Sequence, residues 1–439
     1  MLKTMLFSGP SGSGGGSWVL DFGDGTIGTL CNIYISKKGT LYTGGSVYRH
    51  ISDKDSVLTD FFIEVSAEGE ILWQNYFKHN SNNSASTAGC ITTIGNNIVV
   101  GGQESSIAGA EKDTQLGLYS ANGDELATTG ITASKVLEVT TPALISGLSS
   151  NDNNIYVSGK NYIAKLAKDL SNAYWIKPLL DKTVVNVKCD PDSDYTYFCG
   201  NTPPSNNSSS SVFCVGSLSD TGEQRWVEKI NSNQGIDVCV TSDGVYACGN
   251  LMDYDNKISN GILVKYTKSG SLSWIKEIVI DNAYLTTYTI SSDIVGNIYI
   301  GCVAYIYGVL AKVSSDGAIL SNIKITPSST HISSTVCYIY FIKVDTRGNV
   351  YLWVNNPNTH YLVKLTKNDI KQIATTPLTI GPLIFENSSF IKTISSSITT
   401  NSYSRGIINT SSSATKFSLT SSTFASAEAN LTPELYYKG

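Results

Sequence analysis

The feature that most constrains this chain is a repeated meander. The stretch 236–278, IDVCVTSDGVYACGNLMDYDNKISNGILVKYTKSGSLSWIKEI, holds four short β-forming runs at 237–241, 245–248, 262–266 and 273–278. Turn signals separate them: Ser-Asp-Gly, a polar loop, then Lys-Ser-Gly-Ser. Four antiparallel strands in about forty residues leave two apolar faces that one unit cannot bury by itself. Copies of the unit must therefore stand beside it, and the chain supplies them.

The second run of each copy ends in a recognisable string: GTLYTG, GNNIVVG, NNIYVSG, DYTYFCG, DGVYACG, GNIYIG and GNVYLW, closing at residues 44, 101, 159, 200, 249, 301 and 353. The spacings of 57, 58, 41, 49, 52 and 52 residues lie near the period of a propeller blade, stretched where loops are longer. A third run follows each string (FFIEVS, QLGLYS, YIAKLA, VFCVGS, ILVKYT, VLAKVS, YLVKLT), and a fourth opens after a glycine or its substitute. Trp73, Trp226 and Trp274 stand four residues after Gly69, Gly222 and Gly270, and Trp175 four after Ser171. Ala127, Ser321 and Ile373 take that place in the weaker copies. The expected fold is all-β, a seven-bladed β-propeller of four-stranded antiparallel blades over residues 17–375, with an N-terminal arm (1–16) and a Ser/Thr-rich C-terminal extension (376–439).

Gly14 and Trp18 repeat the four-residue spacing with no unit before them. Residues 17–22 therefore read as an outer strand for the last blade, pairing with 361–366 and closing the ring without an open edge. The rival closing segment is 370–375. Beyond residue 376 the pattern stops. Residues 386–426 are about half Ser and Thr, with single apolar residues in loose alternation, which suits exposed β-structure or an extended arm. Met5, Leu6 and Phe7 at one end and Tyr436 and Tyr437 at the other are the expected anchoring tips.

Charged residues make up 15% of the chain, well under the usual quarter or so, and the net charge is −5. With no basic block, nucleic acid is not an expected partner. The N-terminus carries only a three-residue apolar run, so a signal peptide is not expected. No stretch reaches transmembrane length, and membrane insertion is not expected. The nine cysteines form no Cys-x-x-Cys pair, and eight of them fall in or just after the first or second runs, as small buried apolar residues do. Free core thiols are expected.

Candidate chemistry is sparse. SGPSGSGGGS lacks the Gly-Lys-Ser/Thr ending of a phosphate loop. Asp190, Asp192 and Asp194 alternate as in a calcium loop, but Tyr195 and Asn201 occupy the positions where that loop needs glycine and glutamate, so a turn is expected instead. His50, His79, His331 and His360 share no spacing. Asp60, Asp113, Asp237 and Asp243 are scattered acids beside turns or strand starts. No catalytic residue, metal ligand or cofactor is expected. Asn82, Asn83, Asn206 and Asn207, in polar loops, are the candidate binding residues.

The string "strand, Gly-Asn-x-Tyr-x-x-Gly, loop, x-x-x-Lys-apolar, turn-Gly, x-x-x-Trp" resembles the bacterial seven-bladed β-propeller repeats of the SBBP type. The segments 296–301 with 309–313, and 243–249 with 262–274, carry the likeness best. The Gly-x-x-x-Trp element is also similar to the repeats of pyrroloquinoline-quinone dehydrogenases, whose adjacent-cysteine pair this chain lacks. The SBBP resemblance implies a scaffold or binding surface without catalytic residues. The make-up of the whole chain looks like that of a bacteriophage virion protein. The expected function is a non-enzymatic structural or host-adhesion component of a phage tail, with other virion proteins and a host surface glycan as partners. A polysaccharide-acting enzyme using the channel and a cytoplasmic interaction scaffold are the alternatives.

Overall fold

The computed structural model describes residues 16–438 apart from connecting stretches, the longest being 107–112, 134–144, 203–210, 329–335 and 403–416. Seven antiparallel sheets follow one another along the chain. Their repeat strands span 27–78, 84–133, 145–178, 183–230, 234–280, 285–327 and 338–365, numbered here as blades 1 to 7. Blade 5 is the unit first legible in the sequence, with strands Gln234–Thr241, Gly244–Asp253, Ile258–Tyr266 and Leu272–Ile280. The fold is the expected seven-bladed propeller.

Two pairings explain the repeated motif. Within a blade, the Tyr of the second strand faces the Lys of the third across the ladder: Tyr156 opposite Lys165, Tyr246 opposite Lys265, Tyr299 opposite Lys312. Each ammonium lies over its ring, at 5.8, 5.0 and 5.1 Å from the centroid. A lysine stem can thus be buried while its charge meets a π-face. Between blades, the outer-strand Trp of one blade packs on the glycine turn of the next. The indole of Trp226 donates to the Lys268 carbonyl at 3.3 Å, and that of Trp274 to the Ser315 carbonyl at 3.1 Å. Gly270 has φ +97°, and a Cβ there would come within 2.6 Å of the Trp226 ring.

The weaker copies deviate in compensated pairs. Ala127 replaces the Trp of blade 2, and the turn it faces carries Leu170 at φ 61° in place of glycine. Leu170 is buried in the cluster against which Ala127 packs, so bulk has moved from one blade to its neighbour. Blade 6 has Ser321 in place of Trp, and the segment beside blade 7 is a short helix, Lys367–Ile373. Ile373 is fully buried with Ile323 and Phe385.

The ring closes as the Gly14/Trp18 spacing implies. Trp18–Asp21 pairs with the third strand of blade 7, Trp18 opposite Lys364 and Asp21 opposite Tyr361. The rival segment 370–375 lies mostly in the helix. Val19 joins the core shared by blades 6 and 7, while Trp18 and Leu20 join the one shared by blades 7 and 1.

Residues beyond 376 run around the outside of the propeller, against the direction of the blades. Leu383–Ser388 pairs with the outer strand of blade 6, Ile391–Ser395 with blade 5, and Thr400–Ser402 with blade 4. Phe417–Thr420 then pairs with blade 2, Ala425–Glu428 with blade 1, and Glu434–Tyr437 with Trp18–Asp21 in blade 7. Every pairing is antiparallel. An outer propeller strand exposes a row of unpaired backbone groups, and an added edge strand satisfies them, while Leu383, Phe385 and Ile391 also join the buried core.

Ser17 and Lys438 meet at Asp369 in the helix. Its carboxylate accepts from Ser17 Oγ at 2.6 Å, from Thr366 Oγ1, and from Lys438 Nζ. Thr366 is the N-cap, its hydroxyl accepting from the Asp369 amide. Burial raises the Asp369 pKa, but the bonds from Lys438, Ser17 and Thr366 outweigh it and hold the carboxyl below its ordinary value. A depressed folded-state pKa contributes stability that is fully present above the unfolded value, near 4, and is lost as pH falls through the folded one. Asp369→Asn should therefore flatten the loss of melting temperature below about pH 4, while costing about 2 kcal/mol at neutral pH. An unaltered acid profile would remove Asp369 from this role.

All nine cysteines are free, and eight of them are buried. Burial pushes the thiols up, Cys90, Cys302 and Cys337 to about 12, which suppresses thiolate chemistry.

Candidate functional site: the propeller channel

The innermost strands of the seven blades surround the channel, and each carries a β-bulge at the same height. The shifts fall between Ile27/Thr29, Ala88/Cys90, Ile145/Gly147, Val184/Asn186, Gly235/Asp237, Thr287/Thr289 and Ile339/Phe341. A bulge turns its extra residue out of the ladder and re-aims it. The extra residues are Gly28, Gly89, Ser146, Val185, Ile236, Tyr288 and Tyr340. The bulge position thus runs from glycine in blades 1 and 2 to tyrosine in blades 6 and 7, while Ser146 bonds Ser158 and Val185 and Ile236 pack against cores between blades.

The tyrosines form the most distinctive surface. Tyr288 meets Tyr338 and Tyr340 edge-on, with centroids at 5.7 and 5.1 Å, and Tyr338 stacks with Tyr340 at 5.8 Å. All three are half-buried. Burial, then the neighbouring Tyr340 and Tyr338, push the Tyr288 hydroxyl up to about 12, so it stays a neutral donor. Asn355, on the neighbouring strand, has an Oδ1 without a partner. His360, opposite Asn355 across the ladder, also has an unpartnered Nδ1. Burial lowers the His360 pKa to about 4, keeping the ring neutral. A buried polar atom without a partner costs about 1–3 kcal/mol, and both atoms lie outside the innermost strand, on the second and third strands of blade 7.

The aromatic wall extends onto the adjoining face of blade 6. Tyr284, Tyr305 and Ile306 are exposed there, at 53%, 54% and 47%. Tyr305 sits at φ 58°, a left-handed conformation that costs a non-glycine residue about 1–2 kcal/mol. Backbone strain of this kind concentrates at ligand-contacting sites.

Three of the acids considered from the sequence, Asp60, Asp237 and Asp243, lie in the blades. Asp237 accepts at one oxygen from Asn186 Nδ2 (2.5 Å) and the Val238 amide (2.8 Å), and at the other from Thr289 Oγ1 (3.1 Å) and the Ile290 amide (3.0 Å). It ties blades 4, 5 and 6 together. Asp243 pairs with Lys265 at 2.7 Å in its own blade, and Asp60 is buried on the third strand of blade 1. Asp190 and Asp192 form the expected turn, and Lys268 of blade 5 reaches them at 2.9 and 3.3 Å, taking the place a cation would have.

Among the described residues no group of three or more His, Cys, Asp or Glu could hold a metal ion. Met5, Leu6, Phe7, Asn82, Asn83, Asn206, Asn207, His79 and His331 lie outside the described residues, as do the side chains of His50 and Asp113. Tyr436 and Tyr437 lie in the strand paired with Trp18–Asp21. Tyr436 covers the Gly381 turn, where a Cβ would come within 2.3 Å of its side chain, and Tyr437 is 43% exposed. The sequence marks the channel tyrosines only by the run Tyr338-Ile-Tyr340.

No family model and no curated protein sequence matches the chain. Among solved structures, hydrazine synthase of Kuenenia stuttgartiensis is similar at 12% identity and a TM-score of 0.50, over 75% of this chain and 95% of that one. The C-terminal WD40 domain of Sif2 is similar at 14% identity and a TM-score of 0.45, over 78% and 98%. At such identity the first likeness speaks to the propeller fold alone.

Proposed function

We propose that this protein is a non-enzymatic binding platform whose channel mouth, walled by Tyr288, Tyr338 and Tyr340, receives a glycan, and that it serves as a structural or host-adhesion component of a bacteriophage tail. The observation that carries the binding role is the tyrosine cluster. Flat, half-exposed aromatic faces stack on the apolar faces of sugar rings, while the tyrosine hydroxyls offer the hydrogen bonds that sugar hydroxyls need. The outer strands from the C-terminal tail suit a component that must stay closed outside a cell. The SBBP-type repeat likeness fits the same scaffold role.

Affinity electrophoresis through bacterial surface polysaccharides is the test. Tyr338→Ala and Tyr340→Ala should each weaken retention about tenfold, near 1.4 kcal/mol per ring. Retention unchanged in both variants would remove the cluster from the site. Turnover of the glycan by the purified protein would favour an enzyme instead. Mass spectrometry of purified phage particles tests the setting, and absence of the chain from them would defeat the tail assignment.

A further inference from the structure

An asparagine followed by glycine is chemically fragile when exposed, because glycine has no side chain to shield its amide nitrogen from the asparagine side chain. The chain holds two such pairs, Asn122–Gly123 and Asn260–Gly261. The fold treats them differently. Asn260 and Gly261 lie in the third strand of blade 5, Asn260 opposite Leu251 and Gly261 opposite both Asn250 and Ile278. Asn260 also donates from Nδ2 to Glu277 Oε2 at 3.1 Å. Extended backbone held in ladders on both sides cannot fold back into a five-membered ring. Asn122–Gly123 stands instead in the turn between the third and fourth strands of blade 2, with Asn122 exposed and Gly123 at φ +85°. In the matching turns of blades 1, 4, 5 and 6 the glycine follows Glu68, Thr221, Ser269 and Asp316, none of which carries an amide.

The same turn holds the seam between blades 1 and 2. Trp73 Nε1 donates to the Ala121 carbonyl at 2.9 Å and Asn75 Nδ2 to the Gly123 carbonyl at 2.8 Å, so the two acceptors flank Asn122. The turn is closed by the Gly123 amide on the Ser120 carbonyl at 3.0 Å and by the Ser120 amide on the Asp124 carbonyl at 2.8 Å. Space is short on the blade 1 side. A carbon added at Gly123 would come within 2.8 Å of Asn75 Nδ2 and 3.2 Å of the Trp73 ring. An atom inserted into the backbone between residues 122 and 123 would re-aim both carbonyls.

We propose that Asn122 is a site of spontaneous deamidation, and that its isoaspartyl product loosens the seam between blades 1 and 2. The Gly123 nitrogen bonds to Asn122 Cγ, the Cγ–Nδ2 bond breaks, and the proton lost from Gly123 leaves with Nδ2 as ammonia. Solvent water then opens the cyclic imide at either carbonyl. One opening gives aspartate. The other gives isoaspartate, in which the chain runs through the former side chain and is longer by one methylene. The bond from Gly123 to Ser120 has to open first, a local motion of a surface turn. The inference goes beyond the glycan reading and uses none of its residues.

The full-length protein would be held in mildly alkaline buffer at physiological temperature, and samples read by peptide mass mapping with electron-transfer fragmentation and by thermal melting. The mass gain of an amide becoming an acid should appear at Asn122 at least about tenfold faster than at Asn260. In urea, where turn and ladders are gone, the two pairs should react at similar rates. The aged protein should melt about 2–4 °C lower than fresh protein. Asn122→Gln, which cannot close the five-membered imide, should age without that fall. Fresh Asn122→Asp should melt like wild type, which separates the added charge from the lengthened backbone. Reaction at Asn122 no faster than at Asn260 in the folded protein would overturn the proposal. So would unaltered melting once isoaspartate has formed at residue 122, or an equal fall in fresh Asn122→Asp, which would assign the effect to charge.

Discussion

Removing residues 1–23 should lower the melting temperature by about 10 °C or more. The deleted segment supplies the fourth strand of blade 7, and its Trp18 and Val19 are fully buried in two different inter-blade cores. Trp18→Ala alone should cost about 3–5 kcal/mol, a large part of the total stability of an ordinary domain. The deletion also strands Glu434–Tyr437, whose partner is the same segment, and removes Ser17 from Asp369. A ring of seven blades that loses one seam exposes two apolar faces together. Unchanged melting of the truncated protein would mean that the seam is closed by another segment.

Gly270→Ala should cost about 3 kcal/mol, combining left-handed strain with overpacking. The turn at Gly270 has φ +97°, and the added methyl would stand 2.6 Å from the Trp226 ring. Gly296→Ala is the matched control. Gly296 has a similar φ of +84° with nothing within 4 Å of the added carbon, so it bears the backbone strain alone. The difference between the two variants, about 1–3 kcal/mol, measures the contact between blades 4 and 5. Equal losses would show that the Trp-on-glycine packing contributes nothing to holding blades together.

Much of this architecture was legible before any coordinates. The Gly-x-x-x-Trp spacing and the Tyr and Lys positions recur because each serves the same contact in successive blades, so period and chemistry coincide. Trp18 disclosed the ring closure for that reason. The course of the tail was not legible. Thr400–Ser402 and Ala425–Glu428 are three- and four-residue strands whose partners are sheet edges distant in the chain, Thr400 facing Ile230 and Ala425 facing Lys78, and their short sequences TNS and ASAE carry no strand pattern. The channel was hidden for a different reason. Gly89, Val185 and Tyr340 share a bulge position but no chemistry, and a bulge leaves no mark in a single sequence.

The central claim is that Trp18–Asp21 and Glu434–Tyr437 belong to the closed ring, which makes the propeller a rigid frame for its channel. Native-state amide hydrogen exchange tests it most directly. Protection in Trp18–Asp21, Leu383–Ser388, Ile391–Ser395 and Glu434–Tyr437 should come close to that of the blade strands they pair with, and should fall together in Asp369→Asn near the latch. Rapid exchange throughout these segments, with the blades still protected, would contradict the account.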